Sequence, residues 1–384
     1  MFKGEMPSQR HARTSFNAGR THSFSPRSLA CLRVNIMLMQ QQTTTRHTST
    51  GRLANQRHRA RQIPYVLIVS LLAISLLPSI ATAASFDCHN PTTRFEKTVC
   101  ADPKLSAQDV VMTYRYEADL QLLSDQGKTF LRAGQQQWLK VVKILCLDSG
   151  KNANPASCMR RQYADRIDDL NNAVISLGPF VFSRVDNYTS IGKQEVTGRP
   201  LEQHTSLPRI DRPMSAQAVQ WNAAIVRSAA SARANWCFGD AQTPGDHSTR
   251  FKIRSATPDL INVEMLHTEQ CAAGAPSQTM SNVSYLLKPA LHRLRTEDLF
   301  KPGSGWETFL SNRASRVLNP DTFFADGINE GVRDPAAWSF TKAGLLISFN
   351  PGVADAIASG ILEVTVPWTD LDRFFVPGAP IPRL

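Results

Sequence analysis

Six of the seven cysteines lie downstream of a segment that reads as a secretory leader, and this arrangement constrains the fold more than any other feature of the chain. Cysteines in an exported chain settle as disulfides, whereas a reducing cytosol keeps them as thiols. The leader has a basic stretch, Arg57-His58-Arg59-Ala60-Arg61, and an uncharged apolar run from Ile63 to Leu77. Ala81-Thr82-Ala83 then supplies the small residues that signal peptidase requires, so cleavage is expected near Ala83 and the mature chain near Ala84. The apolar run is about fifteen residues, short of the roughly twenty that span a bilayer, and no integral membrane span is expected in the mature chain.

The leader also carries the charge. Residues 1–83 hold eleven of the 43 Lys+Arg and one of the 32 Asp+Glu, Glu5, so they carry +10 of the formal net charge of +11 and the remainder is close to neutral. A basic chain would suggest nucleic acid as a partner, but a near-neutral mature chain does not. The stretch before the leader is rich in Arg, Ser, Thr and Gln, with Met37 and Met39 as alternative starts. Phe86-Asp87 precedes Cys88 where a lipoprotein signal needs small residues, so no lipid anchor is expected.

About three hundred residues remain, enough for two domains. Cys88, Cys100, Cys146 and Cys158 cluster early, Cys237 and Cys271 stand alone later, and Cys31 falls in the leader. No Cys-x-x-Cys and no histidine at ligand spacing from a cysteine occurs, so neither a metal site nor a thioredoxin-like redox motif is expected.

From Ala84 to about Val174 the pattern is helical. Thr93 and Glu96 have capping-box spacing, and Ser106 with Asp109 repeats it, flanked by Leu105 and Val110 as a staple. An apolar stripe Val110, Tyr114, Ala118, Leu122 keeps the 3.6-residue period. Leu131, Gly134, Trp138, Val141 and Leu145 form a second stripe, and Tyr163, Ile167, Leu170 and Val174 a third after a turn at residues 148–152. One short and three longer helices are predicted. Four cysteines allow three pairings; the turn between the helices carrying Cys146 and Cys158 favours that pair, leaving Cys88 with Cys100, and Cys237 is expected to join Cys271.

The string Phe86-Asp87-Cys88, Glu96-Lys97-Thr98-Val99-Cys100, Asp102-Pro103-Lys104-Leu105-Ser106, Gln137-Trp138-Leu139, Cys146, Cys158 and Tyr163-Ala164-Asp165-Arg166-Ile167 resembles the lysozyme-inhibitor LprI-like N-terminal domain family. The segment Lys140 to Leu145 is more apolar than the family pattern. The resemblance implies a disulfide-stapled all-α domain over residues 84–176.

Beyond Ser176 the texture alternates. Phe180, Phe182 and Val185 suggest an opening strand; Pro208 and Pro213 precede a helix over about 215–235 with Val219, Asn222, Val226 and Ala230 inward. Period-two segments at 251–253, 261–265, 283–287, 345–349 and 362–366, with helical stretches at 306–318 and 368–374, predict an α+β domain with a mainly antiparallel sheet over residues 178–378. Leu294-Arg295-Thr296-Glu297-Asp298-Leu299-Phe300 and Gly344-Leu345-Leu346-Ile347-Ser348-Phe349-Asn350-Pro351, continuing into Glu363-Val364-Thr365-Val366-Pro367-Trp368, resemble an RsiV-like C-terminal domain, found in an anti-sigma factor that senses lysozyme. That family carries Gly-Gly-Ala-His after its central strand. Here Ala272-Ala273-Gly274-Ala275-Pro276 stands instead, so no role of the histidine transfers, and Ala273, Gly274, Ala275 and Pro276 become the candidate partner contact.

No nucleophile elbow, metalloprotease motif or phosphate loop is present, and no catalytic residue or cofactor is assigned. His89, His204, His247, His267 and His292 read as scattered, and Asp165, Asp168 and Asp169 with Arg160, Arg161 and Arg166 as a solvated ion-pair face. The expectation is a periplasmic or secreted binding protein whose partner is lysozyme or another peptidoglycan hydrolase. The alternative is a non-inhibitory envelope module that binds peptidoglycan by stacking sugars on Trp306, Trp338 or Trp368.

Overall fold

The computed structural model describes residues 85–148, 154–194, 198–232, 245–270, 276–318 and 324–382. The leader, Cys237 and Cys271 lie outside them, as do Ala273, Gly274 and Ala275 and most of the predicted turn at residues 148–152. Four helices open the described chain: α1 (Arg94–Ala101), α2 (Pro103–Leu122), α3 (Asp125–Lys143) and α4 (Pro155–Leu170). The Thr93 capping box is complete, its hydroxyl accepting from Glu96 N at 3.1 Å while Glu96 Oε2 accepts from Thr93 N at 2.9 Å. The Thr93 amide, with the Thr92 hydroxyl and amide, pulls the Glu96 carboxyl down to about 2.

Helix α2 starts earlier than its sequence suggested. Asp102 caps it by accepting from Leu105 N at 3.0 Å, with Pro103 in the first turn. Ser106 and Asp109 are therefore not a cap but buried interior residues, Ser106 Oγ donating to Val99 O at 2.8 Å and Tyr163 Oη donating to Asp109 Oδ1 at 2.9 Å. These bonds, with Leu105 and Met112 in the core, rotate α2 so that the expected stripe of Val110, Tyr114, Ala118 and Leu122 faces solvent. The period was real and the direction was not.

Helix α3 buries what its periodicity predicts, and α4 buries Tyr163 and Leu170 of its expected stripe with Ile167 half-buried. Leu131, Gly134, Trp138, Val141 and Leu145 are buried, and Trp138 meets Tyr163 edge-on at 5.1 Å between ring centroids. A π-helical turn, Ile144–Asp148, ends α3 and carries Cys146 inward. Helix α4 stops at Leu170, and Val174 opens a strand rather than extending the helical stripe. Disulfides join Cys88 to Cys100 and Cys146 to Cys158, each pair 5.5 Å apart at Cα and twelve residues apart in sequence, as the turn argument favoured.

The remainder is α+β with a mainly antiparallel sheet. Seven strands run in sequence order: β1 (Val174–Leu177), β2 (Phe180–Lys193), β3 (Pro200–Arg212), β4 (Asp246–Ala256), β5 (Leu260–Gln270), β6 (Ser277–Leu286) and β7 (His292–Arg293). Only β3 and β4 are parallel, over Gln203–Thr205 against His247–Thr249, with α5 (Ala216–Ala232) in the crossover. Because that pairing is so short, the far half of β3 has an open edge. This permits Pro208 inside a strand, and Asn222 of α5 covers the edge by accepting from Ile210 N at 2.7 Å and donating to Ile210 O at 3.1 Å. Asn222 does point inward, but Val219 and Val226 are exposed; the buried face of α5 is Ala218, Trp221, Ile225 and Ala229.

A second layer follows: α6 (Trp306–Val317), α7 (Ala325–Gly331) and a three-stranded antiparallel sheet of β8 (Trp338–Phe340), β9 (Gly344–Phe349) and β10 (Leu362–Pro367), then α8 (Trp368–Leu371). Side-chain amides tie it to the large sheet. Asn262 of β5 donates to Trp338 O at 3.1 Å and accepts from Phe340 N at 3.0 Å, and Asn350 makes the same reciprocal pair with Met280 at 2.9 and 2.6 Å. Trp306 and Trp338 sit in this core, and Trp368 stacks on Phe340 at 5.8 Å, so all three fill the protein.

Each short bridge constrains the unfolded helical segment. Replacing Cys146 and Cys158 with Ser should lower unfolding free energy by roughly 3 kcal/mol, the chain-entropy value for a loop of this length, measured by urea denaturation against the oxidised protein.

Candidate functional site

Where α3 and α4 lie on β2 and β3, a cluster of charged side chains is buried. Helix α4 presents Arg166 and Asp169; β2 presents Arg184, Asp186 and Tyr188 at its two-residue period; β3 adds His204 and Ser206. Gly134 lets α3 come close enough to close the cluster, since a Cβ there would stand 3.2 Å from Asp186 Cβ. Arg166 Nη1 donates to Asp186 Oδ2 at 2.6 Å and its Nε to Gln135 Oε1 at 2.9 Å. Arg184 bridges both acids, Nε to Asp186 Oδ1 and Nη2 to Asp169 Oδ1, each at 2.7 Å. Tyr188 Oη donates to Asp169 Oδ2 at 2.8 Å, and its ring stacks on His204 at 4.0 Å.

The expected solvated ion-pair face on α4 is therefore half wrong. Asp165, Asp168 and Arg161 are exposed, but Arg166 and Asp169 are buried and paired with the sheet, and Arg160 pairs with Asp102. Two guanidinium groups against two carboxylates leave the cluster neutral, which offsets the cost of burying each charge. Asp169, Asp186 and His204 could bring ligand atoms within 4.8 Å of one another. Their oxygens are already occupied by Arg166, Arg184, Tyr188, His204 and Ser206, so the donor set suits an ion-pair network and not a cation. Burial opposes ionisation of Asp186, but the two arginines and His204 outweigh it and hold its carboxyl well below the usual range.

This network floors a cleft of about 370 Å³ between the helices and the sheet. Its walls are polar. Asp246 of β4 pairs with Arg199 and accepts from Glu202 N at 2.8 Å, while Glu202 accepts from Gln162 of α4 at 3.1 Å. Burial raises the Glu202 and Glu269 carboxyls above their ordinary range. Behind the wall, His247 Nε2, Thr249 Oγ1, His267 Nδ1, His267 Nε2 and Ser281 Oγ form a chain with steps of 2.8, 3.1 and 3.1 Å. Thr249 is buried within the sheet, so this chain is a structural relay rather than an exposed nucleophile with its base.

Three histidines that looked scattered thus converge around the parallel strand pair, while His89 is exposed and His292 pairs with Asp298. Among the candidate contact residues, Pro276 is exposed and lines the cleft, as does Gln270 across the intervening segment. Sequence reasoning missed Arg184, Asp186, Tyr188, His204 and Glu202. Their one signal was the alternation of polar and apolar residues along β2 and β3, which normally marks a solvated face.

Residues 88–170 match the family described as lysozyme inhibitor LprI, spanning α1 to α4 and both bridges. Residues 297–369 match a protein family of unknown function, DUF3298, across the second layer. The strands that wall the cleft fall between the two matches. No protein with a curated description matches the chain. Two solved structures align with it: a DUF3298 family member from Bacteroides fragilis, 11% identical over 53% of this chain and 96% of that one, TM-score 0.38; and a DUF3298 family protein from Pseudomonas aeruginosa, 13% identical over 52% and 95%, TM-score 0.38.

Removing one acid from the neutral cluster leaves buried cations uncompensated. Asp186→Asn should cost about 3–5 kcal/mol in urea denaturation near pH 7. The folded-state carboxyl of Asp186 lies below its unfolded value of about 4, so its contribution is present above pH 4 and lost as pH falls below it. The stability gap between wild type and Asp186→Asn should therefore narrow below about pH 4.

Proposed function

We propose that this protein is an exported envelope binding protein that recognises lysozyme or another peptidoglycan hydrolase and inhibits it. The observation that carries the reading is the match of the α1–α4 unit to the lysozyme inhibitor LprI family, with all four of its cysteines paired. Disulfides belong to oxidising compartments, which supports export and the leader read in the sequence. Inhibition of this kind needs a rigid surface that occludes a catalytic cleft, not a catalytic group. Two bridges and a buried ion network supply rigidity, which lowers the ordering cost of binding.

The segment joining β5 to β6, with Ala273, Gly274, Ala275 and Pro276, is the proposed contact. Pro276 of this segment and its neighbour Gln270 line the polar cleft, so a partner engaging the segment would also meet Glu202 and Glu269. An RsiV-like role for the C-terminal half rests on the sequence resemblance alone.

The test is direct binding of the purified protein to a c-type lysozyme, with residual muramidase activity followed in parallel and insoluble peptidoglycan as the competing bait. Saturable lysozyme binding with loss of activity is expected; retention on peptidoglycan with no lysozyme binding overturns the reading. The variant carrying Ala273→Lys and Ala275→Lys should bind at least tenfold more weakly, about 1.4 kcal/mol, with an unchanged melting temperature. Unaltered affinity would move recognition to the helical unit.

A further inference from the structure

Helix α2 is inverted. Its inward face carries Ser106 and Asp109 beside Leu105 and Met112, whereas its outward face carries Val110, Val111, Tyr114 and Leu122, exposed by 40, 44, 68 and 54%. Ala107 and Ala118, also exposed, lie among them. At 3.6 residues per turn, all six fall within about 120° of helix surface, centred opposite the buried side. An amphipathic helix normally places such a stripe against the core; Lys104 and Gln121 fall in the same arc near its two ends, and the apolar strip left in water between them marks a contact surface.

We propose that this stripe is a self-association surface, on which the α2 helices of two copies pack in parallel about a two-fold axis. Three features favour a second copy. The spacing Ala107, Val111, Tyr114, Ala118, Leu122 advances by fours and threes, the pattern of a helix-to-helix seam. The small side chain of Ala118, one turn from Tyr114, leaves room beside the two Tyr114 rings where they meet across a parallel seam. The third feature is charge. Arg115 and Glu117, both exposed, stand on opposite flanks of the stripe, each about 80° from its centre.

That placement selects the orientation. In a parallel two-fold pair the basic flank of one helix lies against the acidic flank of the other, so Arg115 meets the other copy's Glu117, about 3 Å along the axis. In an antiparallel pair centred on Tyr114 like flanks meet, and Arg115 faces its own copy at similar separation. The chain beyond the leader is near neutral, so no long-range repulsion opposes pairing. One helix face is smaller than the roughly 800 Å² per partner of a stable interface, so the dimer should be weak and concentration-dependent.

Sedimentation equilibrium of the purified protein tests this, because every residue involved is on the surface and the variants keep the core. Wild type should pass from monomer to dimer with rising concentration, and Tyr114→Lys should raise the dissociation constant by more than tenfold. Arg115→Glu and Glu117→Arg should each weaken pairing severalfold, and the double swap should recover it. Ala107→Cys and Ala118→Cys should each yield a cross-linked dimer under mild oxidation, since a parallel seam puts each residue near its own copy. A monomer at every concentration overturns the proposal, as does a double swap that fails to recover pairing or the absence of both cross-links. A Tyr114→Lys variant that loses lysozyme binding while wild type stays monomeric also overturns it and gives the stripe to the hydrolase.

Discussion

The arrangement of the molecule depends on four charges that have left water together. Arg166 and Asp169 come from a helix, Arg184 and Asp186 from a strand, and none of them could be buried alone. In the described residues no disulfide joins the helical unit to the sheet, since both bridges lie within the helical unit. The two parts are held by this neutral quartet and by contacts further along β3, where Ser124 donates to Asp211 and Arg209 rests on Phe130. An apolar junction of this size could slide by a side chain at small cost. A junction of paired charges has one register, because each misplaced charge would be buried without its partner.

The same register positions the cleft. Arg166 and Asp169 are one turn of α4 from Gln162 and Asp165, and Tyr188 and His204 are cross-strand partners on β2 and β3. Fixing the quartet therefore fixes the floor and the helical wall of the cleft at once. The pocket owes its polarity to this: its floor is the solvent edge of the network that holds the halves together.

Much of the local architecture could be read directly. The capping box at Thr93 and the stripe of α3 follow from spacing, and the turn before α4 favoured the disulfide pairing that formed, because caps, turns and helical period are properties of short stretches of chain. What could not be read was direction and pairing across distance. Val110, Tyr114, Ala118 and Leu122 have a helical period whichever way they point, and partners of the opposite face, Tyr163 on Asp109 from 54 residues away among them, turn them outward. Asp186 and His204 look like solvent-facing positions of alternating strands, and nothing near them in sequence announces that α4 will cover them. Pro208 reads as a breaker because its local signal does not reveal that the neighbouring strand pairs with only three residues of β3.

The pairing order of the described cysteines has a consequence for how the chain matures. Each cysteine joins the next one along: Cys88 with Cys100, Cys146 with Cys158. A chain emerging from its amino end can close each bridge as the second partner appears, with no earlier thiol left waiting and no wrong bridge to undo. The helical unit can thus be oxidised before any strand exists. In that order Arg166 and Asp169 would stay hydrated and unpaired until β2 and β3 arrive, and the ion quartet would close after the bridges.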